Sequence, residues 1–507
     1  MKDGAHSSII FYMKKVAFDN KLYLKIQREE ILKRAQQFND KLYLEFGGKL
    51  FDDFHASRVL PGFQPDSKLQ MLLSLKDDCE IVIAVNANDI NSNKVRNDTG
   101  YTYQIEVERL IDIYRMKGFY VSSVVINFYE EFASVLEWKS HLENNGIKVY
   151  RSYKIAGYPQ NISLILSDEG LGKNDYIETT KKVVVVTAPG PGSGKMATCL
   201  SQLYHENVRG VKAGYAKYET FPVWNMALDD PINLAYEAAT VDLKDINMID
   251  PYHLEKYGVS SVNYNRDIET FPLLKTIFEK LYGETPYYSP TDMGVNKVGF
   301  AIKDKALVDK ACKREIVRRY YETKLKIFLG KLHEDALAKM EILLNKAGVT
   351  PENRKCVIAA LNCQKEKKEP ACAIELSNGK IITGHRSPLL GASAALLVNT
   401  LKYLAKIDKS IHLLSPAVVE PMQKLKTELL HRSYARLRAE EILLALSIQA
   451  NTNPLAEMAL KQVPKLSGAE CHSTVILSEV DRSTFQRLGI HITEEDKNYG
   501  SLVYNRL

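Results

Sequence analysis

Lys195 follows three glycines within five residues, Gly190, Gly192 and Gly194, with Ser193 between the last two. Residues of these types in this order handle anions. Glycines let backbone N–H groups close on an oxygen, and the ammonium adds a full positive charge. The related nucleotide motif, G-x-x-x-x-G-K-[ST], is broken at both ends. Pro189 stands where its first glycine belongs, and Met196 where its magnesium-binding hydroxyl belongs. Thr198, three residues past the lysine, supplies that hydroxyl only if the turn differs. Gly190, Gly192, Ser193, Gly194, Lys195 and Thr198 are thus the expected binding residues for a phosphate group.

Two further groups could join that chemistry. Asp168 and Glu169 end an apolar run, residues 162–166, that reads as a strand, and Gly170, Gly172 and Lys173 follow. Carboxylates at a strand end hold Mg²⁺ in many phosphate-handling enzymes, although here they precede the lysine loop, the reverse of the usual order. The plain alternative is a polar turn. His253 lies among Asp250 and Glu255, and a histidine beside carboxylates can act as a general base. His253-x-Glu255 also resembles part of a zinc-deaminase signature, but the chain contains no P-C-x-x-C partner, so no zinc is expected. Arg266, Asp267, Asp292 and Asn296 complete a polar half expected opposite the lysine loop. Lys212, Tyr215, Lys217, Tyr218 and Trp224 could offer a stacking face, with packing the preferred reading.

The elements that must position these residues alternate. Helical periodicity over residues 21–37 is followed by a strand at Leu42–Phe46, then a turn-rich loop carrying His55 and Arg58. Buried strands are expected at residues 81–85 and 183–186, with another in VSSVVINF. The first of these leads into a loop bearing Asn86, Asn88 and Asp89, and helices lie between them. Strand–helix alternation of this length predicts βαβ units and a parallel sheet. Residues 306–347 read as helical, and their basic run (Lys310, Lys313, Arg314, Arg318, Arg319) as a solvated face. ACAIELSNGKIITG predicts a hairpin turning at Asn378 and Gly379. Ser387 and Pro388 then predict a helix start, and the small residues of GASAALLVNTLKYL let that helix approach a sheet closely. Hairpin then helix opens the cytidine-deaminase-like topology, yet Gly391, Ala392 and Ser393 stand where its zinc ligand and glutamate would be. Residues 421–449 predict one long amphipathic helix suited to a subunit contact.

The resulting fold class is α/β: a parallel-sheet Rossmann- or P-loop-like N-terminal part, a helical middle segment and a C-terminal α/β subdomain of cytidine-deaminase-like topology. The expected boundaries are residues 13–225 for the phosphate-binding domain, 226–304 for a mixed polar subdomain, 305–350 for the helical segment and 351–507 for the C-terminal subdomain. Bulk numbers agree with several domains: 507 residues, 45% hydrophobic and 26% charged. A net charge of +6, from 68 basic and 62 acidic residues, is too slight to favour nucleic acid. Seven cysteines without a C-x-x-C pair predict free thiols in a reducing compartment, the cytoplasm. The apolar helix at residues 389–401 is too short and interrupted to span a bilayer. Met13 opens MKKVAFDN and is the expected alternative start to Met1.

YLEFGGKLFDDFHASRVLPGF, VVVVTAPGPGSGKMATCLSQLYHE, NMIDPYHLEKYG and TGHRSPLLGASAALLVNTLK resemble a bacterial family catalogued as domain of unknown function 1846. The resemblance runs from Met13 onward. It implies a multidomain α/β protein with a deaminase-like C-terminal subdomain, and it carries no catalytic residue with it.

Function is then expected from the residues alone. The leading expectation is an enzyme that binds a nucleotide or another phosphorylated metabolite at the lysine loop, with a nucleoside triphosphate and Mg²⁺ as cofactors. In that reading Asp168 and Glu169 hold the metal, and His253 with Asp250 handles a proton. A version gripping a single phosphate suits Met196 better. The alternative is a non-catalytic oligomeric scaffold or sensor binding a phosphorylated ligand. Expected partners are a phosphorylated small molecule and further copies of the chain, with no membrane and no nucleic acid.

Overall fold

A computed structural model of the chain describes residues 16–39, 41–48, 50, 53–96, 100–243 and 245–497; Met13 lies outside them. Two compact units divide between Cys312 and Lys313. No helix among the described residues is long and apolar enough to cross a membrane. All seven cysteines are buried free thiols.

The first unit is built on β1 (Leu42–Phe46), β2 (Cys79–Asn86), β3 (Val121–Asn127), β4 (Lys148–Arg151), β5 (Val183–Thr187) and β6 (Gly214–Tyr218). After a small ribbon of β7 (Asn247–Ile249) and β8 (Val262–Tyr264), β9 (Gly294–Val295) joins the same sheet. The order is β4-β3-β2-β5-β1-β6-β9, and every neighbouring pair is parallel. Such a sheet is Rossmann-like. Strands β2 to β4 wind one way and β5, β6 and β9 the other, so the direction reverses between β2 and β5. Open α/β sheets bind ligands beyond the carboxyl ends of strands at such a reversal.

Both faces are covered, which is why the strands read as continuous β-branched runs. Leu42, Leu44, Ile81, Ile83, Val183 and Val185 face one core with the helices Asn20–Gln36, Ser67–Ser74, Tyr103–Met116 and Ala133–Asn144. Tyr43, Val82, Val184, Val186 and Tyr215 face the other core with Lys195–Val208 and Asn265–Tyr282. The alternation places successive residues of each strand on opposite faces.

The second unit carries β10 (Ala371–Glu375), β11 (Ile381–His385), β12 (Glu470–Ser473) and β13 (His491–Glu494) in the order β11-β10-β12-β13. The β10–β11 hairpin is present, with Gly379 at φ 81°, the left-handed position that closes a three-residue turn. Gly384 on β11 lets the backbone of helix Ala392–Leu404 approach where a β-carbon would collide with Leu396 N.

Four local expectations are corrected. Residues 162–166 are not a strand: Ile162–Ile165 is a four-residue helix capped by Asn161, whose side chain accepts from Leu164 N. The span 421–449 is not one helix. Helix Pro416–Lys424 passes into a π-turn at Leu425–Leu429, and a new helix begins only at Ala439. Ser387 accepts from Leu390 N in a turn, and the helix starts later, at Ala392. The basic run is not simply solvated. Arg318 pairs with Glu315 and Glu470, and Arg319 with Glu315, because a buried guanidinium needs carboxylate partners.

Candidate functional site

The lysine loop, residues 188–194, leaves β5 and ends in helix Lys195–Val208. Two asparagines hold it from beneath. Asn86 and Asn127 end β2 and β3 and face each other in register. Asn86 Nδ2 donates to the Gly192 carbonyl at 3.3 Å, and Asn127 Nδ2 to the Ser193 carbonyl at 2.9 Å. The Gly190 carbonyl accepts from Ser193 Oγ at 2.9 Å. With these carbonyls engaged, the amides of Gly192, Ser193 and Gly194 find no acceptor among the described residues. The helix adds its own unpaired first-turn amides. Gly192 and Gly194 have φ of 76° and 86°, and a β-carbon on Gly194 would lie 2.6 Å from Asn127. Such a conformation at close quarters requires glycine.

The lysine side chain turns toward β1. Its Cε lies 3.7 Å from where a β-carbon would stand on Gly47, and Lys68 Nζ lies 2.6 Å from the corresponding point on Gly48. Lys68 pairs with Asp53 at 3.2 Å. Burial opposes the Asp53 carboxylate, but Lys68 and the Ala56 amide hold it below the usual range. The glycine pair after β1 thus makes room for two ammonium groups beside the lysine loop.

Next to them the apolar face of the sheet ends in a charged layer. Glu45 on β1 sits between Val186 of β5 and Lys217 of β6 in register. Glu45 accepts from Tyr215 Oη at 2.7 Å. Lys217 bonds to Asp267, in the first turn of helix Asn265–Tyr282, and lies 3.2 Å from Glu219. Burial opposes the Lys217 ammonium, yet Asp267, Glu219 and Glu45 hold it above the ordinary lysine range. Burial pushes the Glu219 carboxyl up to about 7, with Asp267 and Glu45 adding to the effect and Lys217 opposing it. A carboxyl in that range exchanges protons at neutral pH, as a general acid or base must.

Thr198 is buried. Its hydroxyl lies 3.0 Å from Asn127 Nδ2 and donates to the Gly194 carbonyl at 3.1 Å. Asp168 and Glu169 are exposed on a turn, where Asp168 accepts from Tyr204 Oη at 3.1 Å. Tyr204 lies nine residues past Lys195 in the same helix, which is about two and a half turns and roughly 13 Å of rise, on the opposite face. The structure does not bring this carboxylate pair to Lys195, and it does not fit a Mg²⁺ shared with a phosphate there.

Asp250 caps helix Pro251–Tyr257, accepting from Tyr252 N and His253 N, and its second oxygen accepts from Thr291 Oγ1 at 2.6 Å. It is saturated and does not orient the His253 ring. That ring instead meets Ser289 Oγ at 3.1 Å and Asp292 at 3.7 Å through Nδ1. His253 and Asp292 line a cavity beside β9, together with Thr291, whose hydroxyl donates to Asp250.

Asn127, Lys68, Glu45 and Glu219 were not singled out from sequence. The available signal was a polar residue at or next to the end of an otherwise buried strand: Asn127 ends β3, and Glu45, the one charge in β1, stands just before its last residue, Phe46.

Two family descriptions match the chain. "Domain of unknown function DUF1846, N-terminal" covers residues 16–348, and "Domain of unknown function DUF1846, C-terminal" covers residues 352–504. A UPF0371 protein of Streptococcus pyogenes serotype M5 is 52% identical over 481 residues, 95% of this chain and 97% of that protein. A UPF0371 protein of Streptococcus uberis is 51% identical over 492 residues, 96% of this chain and 100% of its own length.

Proposed function

The chain belongs to the DUF1846 family, whose description assigns no activity, and on that premise we propose that its first unit is an enzyme acting on a nucleotide or other phosphorylated metabolite held through one phosphate. One observation carries the reading: Asn86 and Asn127 engage the loop carbonyls, leaving the Gly192, Ser193 and Gly194 amides without an acceptor among the described residues. A phosphate there meets the Gly192 and Gly194 amides, the helix N-terminus and Lys195, with Lys68 close by. Met196 and the occupied Thr198 hydroxyl favour one phosphate over a metal-bound triphosphate.

Proton transfer falls to Glu219 in this reading, with Lys217 and Asp267 setting its charge state. Carboxylates gathered at the same strand ends favour an enzyme over a scaffold or sensor. For the second unit we read β11-β10-β12-β13, with its hairpin and following helix, as cytidine-deaminase-like in topology; Gly391, Ala392 and Ser393 offer no metal ligand, so no deamination is assigned.

Isothermal calorimetry with inorganic phosphate, sugar phosphates and ATP, each with and without Mg²⁺, tests the proposal. Binding of a monophosphate without Mg²⁺, lost in Lys195→Ala, is the expected result. Affinities unchanged in Lys195→Ala overturn it.

A further inference from the structure

Beside the edge strand β9 lies a cavity of about 290 Å³, lined by Glu30, Arg34, Trp224, His253, Asp292 and Lys297 among others. It is distinct from the lysine loop, none of whose residues lines it. Its aromatic wall is built. The His253 ring sits 5.9 Å edge-on from Trp224 and 4.6 Å from Tyr257. Trp224 is fixed by its own N–H, which donates to the Asn296 carbonyl at 2.9 Å.

Its charges cancel among themselves. Glu30 lies 3.1 Å from Lys297 and 3.9 Å from Arg34. Arg34 Nη1 donates to the Asp292 carbonyl at 2.7 Å, and the guanidinium stacks over Tyr287. The Asp292 carboxylate accepts from Tyr257 Oη and Tyr288 N, each at 3.0 Å. A phosphate entering here would have to displace Glu30 from both cations, and an ammonium ligand would face Arg34 and Lys297. Neither charge is favoured.

The wall still offers directional hydrogen bonds. A guanidinium has five N–H donors and a carboxylate about four lone-pair sites, more than the contacts above consume. A ligand suited to both needs groups that donate and accept at once, which hydroxyls do. It also needs apolar C–H faces for the rings of Trp224 and His253, and it must be small, since 290 Å³ is at the lower end for a small-molecule site. We propose that this cavity binds an uncharged sugar ring of monosaccharide size, with Trp224 and His253 against its face and Arg34, Glu30 and Asp292 on its hydroxyls. His253 thereby gains a binding role independent of the phosphate site.

Saturation-transfer NMR and Trp224 fluorescence on the full chain test this with glucose, galactose, mannose, N-acetylglucosamine and myo-inositol, each raised to about 10 mM, a range that captures weak affinities. At least one sugar is expected to saturate, with the fluorescence response absent in Trp224→Phe. Asp292→Asn and Arg34→Gln should each weaken it tenfold or more, and Lys195→Ala should leave it unchanged. A loss of sugar binding in Lys195→Ala would mean that the sugar sits at the lysine loop, and the assignment falls. It falls equally if no sugar saturates the wild-type chain, if binding survives both cavity variants, or if only inorganic phosphate perturbs Trp224.

Discussion

The Thr198 hydroxyl lies 3.0 Å from Asn127 Nδ2 and 3.1 Å from the Gly194 carbonyl it donates to, so this side chain holds the loop to β3 instead of facing a ligand. Thr198→Val keeps the shape and deletes the hydroxyl. Removing one buried hydrogen-bonding group in this way lowers stability by about 1–3 kcal/mol. Phosphate affinity should fall with it, while any effect of Mg²⁺ stays as in the wild type. Urea denaturation and calorimetry with and without Mg²⁺ check both halves; a Mg²⁺ effect abolished by the variant would return Thr198 to the metal role.

Gly194 and Gly192 share positive φ but differ in surroundings. A β-carbon on Gly194 meets Asn127 at 2.6 Å, whereas at Gly192 it meets open space. Gly192→Ala therefore carries backbone strain alone, about 1 kcal/mol. Gly194→Ala carries the same strain and also displaces the asparagine that holds the Ser193 carbonyl. Phosphate binding should drop at least tenfold further in Gly194→Ala than in Gly192→Ala. Equal losses would show that Asn127 does not shape the loop.

Much of this arrangement was legible in the chain. The run of four valines gave β5, the glycines and Lys195 gave the loop, and β1 lies over Leu42–Phe46 as read. Local patterns suffice there because a strand covered on both faces excludes polar residues. The register was not legible. Glu45 and Lys217 are far apart in sequence, and only the insertion of β1 between β5 and β6 makes them neighbours. Asp168 failed for the complementary reason: proximity of about twenty-five residues to Lys195 says nothing about which face of a helix a turn will meet. Residues 162–166 are apolar enough for a strand, but the Asn161 cap and their short length favour a single helical turn.

In the second unit, Glu470 joins two buried arginines, lying 2.6 Å from Arg318 and 2.8 Å from Arg354. Burial opposes its carboxylate, yet Arg318 and Arg354 hold it below the usual range. Glu470→Gln leaves both guanidiniums buried without that charge, a change that costs about 3–5 kcal/mol. Both tryptophans, Trp138 and Trp224, precede residue 313, so circular dichroism is the suitable probe. A urea midpoint unmoved from wild type would show that the two arginines are solvated in solution.

Glu219 gives the pH dependence its sign. Its carboxyl is raised from 4.5 to about 7 in the folded chain, so between those values the folded state keeps a proton that the unfolded chain has released. Stability must then fall as pH rises through that window and level off above it. Glu219→Gln removes this slope, and urea midpoints measured from pH 4.5 to 8 compare the two. A second variant reaches the same group from outside. A β-carbon on Gly294 would lie 2.6 Å from Glu219 Oε2, so Gly294→Ala must push the carboxylate away from its position beside Lys217. If burial beside Asp267 and Glu45 is what raises Glu219 against Lys217, the alanine, by loosening the Lys217 contact that lowers it, should carry the upper edge of the window higher, and the glutamine should erase the window. A slope that persists unchanged in both would have to come from other titrating groups, and the assignment of proton transfer to Glu219 would go with it.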